Sequence, residues 1–121
     1  MRYSLFLGAI ITVIAIAQFP LYATAADLTV GRHTYDTYCA NCHGVSGNGE
    51  GISAKWVSPQ PRDFTACKLM AMYKDADLLK AIRDGGPAVF VSYNMPPWGA
   101  ILTAGQIEDV LAYERSFCAK K

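Results

Sequence analysis

The sequence predicts an all-α domain, and three observations carry that reading. The strict apolar–polar alternation of half-buried strands is nearly absent. Three segments place apolar residues at helical spacing, and the two later ones carry clear start or stop signals. The stretch over 44–64 holds Gly44, Gly47, Gly49, Gly51, Pro59 and Pro61, too many turn residues for a regular element.

The chain has 121 residues and opens on Arg2 followed by a largely apolar run from Leu5 to Phe19. The small residues Ala23 and Ala25 then precede a plausible cut before Ala26, the pattern of a secretory signal peptide. The run is shorter than the roughly 20 residues that a spanning helix needs. Residues 1–25 therefore read as a leader, with an uncleaved membrane anchor as the alternative, and 26–121 as one small domain. Without the leader the chain carries ten basic and ten acidic side chains, a formal net charge of zero. No basic stripe points to nucleic acid, and Lys120-Lys121 is a short solvated tail.

Within the domain the first helix is expected from about Leu28 to Tyr38. Val30, Tyr35 and Tyr38 form a loose apolar face, and Gly31 offers a flat spot where another helix can approach. Thr29, Thr34 and Thr37 weaken that helix, because branching at Cβ restricts their side chains. After the 44–64 loop, a second helix is expected with Asp75 as its N-cap. Leu78, Leu79 and Ile82 share one face, and Gly85-Gly86-Pro87 ends it. The last helix starts at Thr103, with Gln106 completing a capping box. Ile107, Val110, Leu111 and Phe117 form its buried stripe, with Tyr113 on the flank.

Cys39-Ala40-Asn41-Cys42-His43 carries the chemistry. Two thiols at this spacing can each add to one vinyl group on the same edge of a porphyrin. The adjacent imidazole is then carried beneath the ring and can bind iron, the pattern of a c-type haem attachment site. A thioredoxin-like pair would need a preceding strand, which is missing. A zinc site would need a second ligand pair at close spacing, whereas Cys67 and Cys118 are isolated. Met95, in Ser92-Tyr93-Asn94-Met95-Pro96-Pro97-Trp98, offers a soft ligand for the other face of the iron. Pro96 and Pro97 stiffen the segment around it. A domain this small buries only about 60% of its unfolded surface, so a haem would also serve as an apolar plate for the core.

Taken in order, several features resemble class I c-type cytochromes over residues 27–118. They are Gly31 and Tyr35, the Cys39–His43 motif with Gly44, Pro61-Arg62-Asp63-Phe64-Thr65, Gly85-Gly86, Met95-Pro96-Pro97-Trp98, and a last helix with Tyr113. The resemblance implies a cytochrome c-like fold of about three main helices around one covalent haem c, with Gly31 packing near Tyr113 where the first and last helices cross. It implies Cys39 and Cys42 as attachment points, His43 as proximal ligand and Met95 as distal ligand. The second ring nitrogen of His43 would donate to the carbonyl of a loop proline, Pro59 or Pro61. Met70 and Met72 read as core filler. His33 sits on the helix leading to the proximal side and is set aside as a ligand. Arg62 suits a haem propionate or is simply exposed. Tyr93 and Trp98 are expected to wall the haem pocket.

An exported protein rarely keeps two free thiols, so a Cys67–Cys118 disulfide is the favoured pairing. The competing reading makes Cys67 a thiolate ligand in place of Met95. Iron held on both axial faces leaves no place for substrate, and no acid–base set accompanies Met95. The expectation is a periplasmic electron carrier, not an enzyme, that meets redox partners transiently over small interfaces. Those partners would be a membrane quinol-oxidising complex, a terminal oxidase or a periplasmic dehydrogenase. The alternatives are a haem subunit of a larger redox enzyme, or a gas-binding or sensing haem protein in which Asn94 contacts the gas.

Overall fold

Asp27 starts the first helix. Its carboxylate accepts hydrogen bonds from the backbone N–H groups of Thr29 and Val30 at 2.8 and 3.2 Å, satisfying two donors that a helix start leaves open. The structure, a computed structural model, describes residues 25–119; nearly all of the expected leader and the Lys120-Lys121 tail lie outside them. Helix α1 spans Leu28–Tyr38, α2 Ala40–His43, α3 Cys67–Met70, α4 Asp75–Asp84 and α5 Ala104–Ala119. Short 3₁₀ turns at Ala54–Trp56 and Gly86–Val89 complete the order, and no strand occurs among the described residues. The all-α expectation holds.

Helices α1 and α5 form the main packing pair. Gly31 is buried at their crossing, where a Cβ would run into the backbone carbonyl of Asp109 and meet the Tyr113 Cβ at 3.1 Å. The crossing expected from the resemblance is therefore present, and it is close enough to exclude any side chain. The Asp109 carboxylate also accepts from the Asp27 N–H at 2.7 Å, tying the start of α1 to α5. Tyr35 is the buried anchor of α1, whereas Val30 and Tyr38 lie at the exposed edges of its face.

One start and one filler depart from the sequence reading. Asp75 is the first residue of α4 rather than its cap, a position held by Lys74. Its carboxylate is taken by Arg115 at 2.7 and 2.9 Å, which leaves it unavailable to the helix start. Thr103 and Gln106 do form the capping box, with the Thr103 N–H donating to Gln106 Oε1 at 3.0 Å and the Gln106 N–H to Thr103 Oγ1 at 3.2 Å. Met70 is core, but α3 ends there, and Met72 on the following turn is 78% exposed.

The core has two parts. Ile82, Leu102, Ile107, Val110 and Leu111 form one, with Met95 and Trp98 packed against it. Tyr35, Ala40, Phe64 and Met70 form the other, with Tyr113 and Phe117 against it. Cys39 and Leu78 touch both. Phe117 is half-buried in an aromatic group with Tyr35 and Tyr113, and the fully buried place at this end of α5 goes to Glu114. Arg115 closes the far side by donating to the Met70 and Tyr73 carbonyls, each at 2.6 Å.

Candidate functional site

A cavity of about 1030 Å³ opens beside the two core clusters, at the upper end of the range for ligand sites. Cys39, Cys42, His43, Arg62, Met95 and Trp98 all line it, from three different parts of the chain. Its wall is mainly apolar, including Leu69, Leu78, Val89 and Pro96.

The tight turn of α2 brings the two thiols and the imidazole to one wall. The His43 N–H donates to the Cys39 carbonyl at 2.9 Å, and the glycine-rich loop folds back so that the Gly49 N–H donates to the His43 carbonyl at 2.8 Å. Tyr35 Oη donates to the Gly44 carbonyl at 2.7 Å, which fastens this turn to α1. His43 Nδ1 lies 3.0 Å from the Arg62 carbonyl, and the ring stacks on Phe64 with centroids 4.6 Å apart. Neither Pro59 nor Pro61 supplies that carbonyl. Chain direction through Pro61-Arg62 presents the next carbonyl along to the ring. With Nδ1 donating, Nε2 keeps its lone pair for a metal. Burial pushes the imidazole pKa down and favours the neutral, ligating form, an effect the Arg62 guanidinium adds to and the carbonyl bond partly opposes. Cys39 is pushed up to about 12, first by burial and then by the nearby Glu114 and Cys42, so the thiol stays protonated.

Met95 is held by its backbone. Its carbonyl accepts from the Gly86 N–H at 3.0 Å, and the Gly85-Gly86 pair fits directly against the 92–97 segment. A Cβ on Gly85 would meet the Met95 carbonyl at 3.0 Å, and one on Gly86 would strike the Ser92 carbonyl. Gly85 also adopts φ 84°, a left-handed conformation suited to glycine, so it ends α4 and seats the Met95 segment together. The Trp98 N–H donates to the Ile82 carbonyl at 3.0 Å, and its ring lies 5.2 Å from that of Tyr38.

Tyr93, expected as a pocket wall, is 90% exposed and lies outside the lining. Its neighbours explain this. Ser92 Oγ donates to the Ser58 carbonyl and Asn94 Oδ1 accepts from the Ser58 N–H, each at 3.4 Å, so both flanking side chains turn inward and Tyr93 projects out. Arg62 lines the cavity with its guanidinium 4.3 Å from the Tyr73 ring centroid. His33 is exposed on α1. Cys67 and Cys118 meet at disulfide geometry with Cα atoms 5.4 Å apart, while Cys39 and Cys42 remain free thiols. The stacking role of Phe64 and the buried acid Glu114 were not legible in the sequence; Phe64 sits inside a quoted motif, but nothing marked Glu114 as interior.

The donor set fits an iron porphyrin. Among the described residues, two free thiols, one imidazole nitrogen without a protein partner and one thioether border a single large apolar space. This fold and site define a class I c-type cytochrome. The chain belongs to the family described as cytochrome c oxidase, cbb3-type, subunit III, which matches residues 26–113. It is 29% identical over 89 residues to cytochrome c-554(547) of Halothiobacillus neapolitanus, covering 74% of this chain and 94% of that protein. Among solved structures it is similar to a chain of the Kuenenia stuttgartiensis reducing HAO-like protein complex Kustc0457/Kustc0458, at TM-score 0.60 and 33% identity. That likeness covers 74% of this chain but only 41% of the other. It also resembles the KustC0563 c-type cytochrome, at TM-score 0.59 and 25% identity, covering 73% and 96% of the two chains.

Proposed function

We propose that this chain is an exported, periplasmic monohaem cytochrome that carries one electron at a time between redox proteins. Residues 1–25 are its signal peptide and 26–121 its haem domain. The haem is joined through Cys39 and Cys42, and its iron is held by His43 and Met95. One observation carries the reading: thiols, imidazole and thioether border one cavity, with His43 seated by the Tyr35–Phe64 cluster and Met95 by the Ile82–Val110 cluster.

The bound haem supplies reversible one-electron chemistry. The protein's own groups do the rest. The Arg62 carbonyl orients His43 and keeps its proton on Nδ1. Gly86 anchors the Met95 backbone. Trp98 and the aliphatic wall exclude water, which favours a neutral His and Met environment over solvent ligands. Arg62 stands at the cavity where its planar fork can pair with a propionate. With His43 and Met95 both holding the iron, no position would remain for substrate, which supports carriage rather than catalysis. No helix among the described residues is long and apolar enough to cross a membrane. The pairing of Cys67 with Cys118 supports Met95 over Cys67 as the second iron ligand.

A second reading, a haem subunit within a larger redox assembly, is supported by two findings. The matching family is described as an oxidase subunit, and one structural relative belongs to a complex. Size-exclusion chromatography of the native protein from its source membranes and soluble fraction separates the readings.

Intact mass and a visible spectrum of the matured protein test the core of the proposal. A mass raised by one haem, a red ferrous spectrum and slow or absent CO binding are expected. A colourless protein at the mass of bare polypeptide overturns the proposal, and rapid CO binding moves it to the gas-binding class.

A further inference from the structure

Two contacts from one short segment hold the His43 ring. The Arg62 carbonyl lies 3.0 Å from Nδ1, and Phe64, two residues on, stacks on the ring face with centroids 4.6 Å and planes 18° apart. A partner in the plane and another on the face leave an imidazole little freedom to turn or tilt. The proximal ligand is therefore only as well placed as residues 62–64. That segment belongs to no helix, so whatever fixes it comes from elsewhere in the chain.

Three groups fix it. The Asp63 carboxylate accepts from the Thr65 N–H and hydroxyl, each at 2.7 Å, closing a local turn. The Phe64 N–H donates to the Gly47 carbonyl at 2.7 Å. The end of α5 supplies the third. Phe117 lies nearly parallel to the Phe64 ring, with planes 10° apart and centroids at 6.4 Å. Its neighbour Cys118 is joined to Cys67, just past the segment. Each sulfur abuts a carbonyl oxygen of the segment at 3.2 Å, Cys118 Sγ that of Phe64 and Cys67 Sγ that of Thr65. The disulfide thus backs the very residues that face His43. A staple that only shortens the unfolded chain leaves native geometry alone. These contacts act within the native state.

We propose that the Cys67–Cys118 disulfide, working through Phe64, positions the proximal iron ligand, so that it sets the midpoint potential of the haem as well as the stability of the domain. A firm bond from Nδ1–H to the Arg62 carbonyl makes the imidazole a stronger donor, which favours ferric iron. Without the disulfide the segment loses its backing, the carbonyl holds the ring less closely, and the potential rises. Neither sulfur touches the iron in this scheme. The proposal rests on His43 ligating the haem.

The test compares matured wild type with the double variant Cys67→Ser and Cys118→Ser. The variant is expected to keep the visible spectrum of the His/Met pair while its midpoint potential shifts upward. In proton NMR of the ferrous form, the His43 Nδ1 proton should exchange with solvent several-fold faster. In the ferric form, the haem methyl shifts, which report the orientation of the axial ligands, should be redistributed. Asp27→Ala is the control: it loses two hydrogen bonds at the other end of α1 from Cys39, and should lower stability with potential and NMR signals unmoved. An unchanged potential and unchanged His43 exchange in the double variant overturn the proposal, as does the same shift in Asp27→Ala. A fall in potential also overturns it, since that is the mark of water reaching the iron. If the double variant fails to mature, Phe64→Leu decides, because it keeps the disulfide and the buried volume but removes the flat face. Unmoved methyl shifts there overturn the assignment. A colourless wild type would defeat the haem reading, whereas a red protein whose variants keep the wild-type potential and NMR signals defeats only this inference.

Discussion

At the residue scale, two side chains carry separable predictions. Met95 reaches the cavity through a backbone fixed by Gly86, so truncating it should leave the fold and the covalent haem in place. Met95→Ala is expected to lose the weak far-red absorption band of thioether-ligated ferric iron, to bind CO readily when reduced, and to lower the midpoint potential. An unchanged spectrum would remove Met95 from the ligand pair. Glu114 makes a stability prediction with a definite sign. Its native carboxyl sits near 8 while an unfolded one sits near 4.5, so the folded state holds a proton that the unfolded chain gives up. Stability from this site is complete below the unfolded value, declines as pH rises through the interval, and levels off above the native one. Denaturant titrations of wild type and Glu114→Gln over that interval should show the wild type losing stability with pH relative to the variant. A constant difference would mean the carboxyl is not buried as described.

At the element scale, the α1–α5 crossing depends on a missing side chain. A Cβ at Gly31 meets a backbone carbonyl on α5, which has no rotamer to yield, so the helices must separate. Gly31→Ala is expected to cost about 1–3 kcal/mol, read as a lowered denaturation midpoint. Gly105→Ala is the matched control. Nothing lies within 4 Å of that position, so alanine there should be neutral or stabilise by up to about 1 kcal/mol through helix propensity. Equal losses at both sites would argue against a tight crossing.

At the scale of the whole molecule, the chain is a shell built around a space. The two core clusters share Cys39 and Leu78, and the remaining gap is a cavity large enough for a porphyrin. Such a domain gains most from covalent ties. The Cys67–Cys118 link joins the start of α3 to the last turn of α5 across 51 residues. Replacing both cysteines by serine should lower stability by about 2–4 kcal/mol while leaving the visible spectrum unchanged. A changed ligand spectrum in that variant would return Cys67 to the iron.

Much of this protein was legible from local chemistry. The Cys39–His43 spacing, the Thr103–Gln106 capping box, the stop at Gly85-Gly86-Pro87 and the limits of α1 each rest on residues within a few positions of one another. Short-range rules suffice for such features. Others depend on partners far along the chain, and sequence proximity carries no information about them. Asp75 looks like a cap until Arg115, 40 residues on, takes its carboxylate. The carbonyl that orients His43 belongs to Arg62 because of how one loop turns, not because of a proline's identity. Tyr93 faces outward because its neighbours reach for Ser58. A glutamate on a helix reads as solvent-facing, and only the packing of α1 on α5 makes Glu114 an interior acid. Composition and spacing determined the class of fold and the kind of cofactor, because attachment and capping are local geometry. Tertiary structure decided which polar groups lose water and what faces them, because burial is a property of the assembled chain.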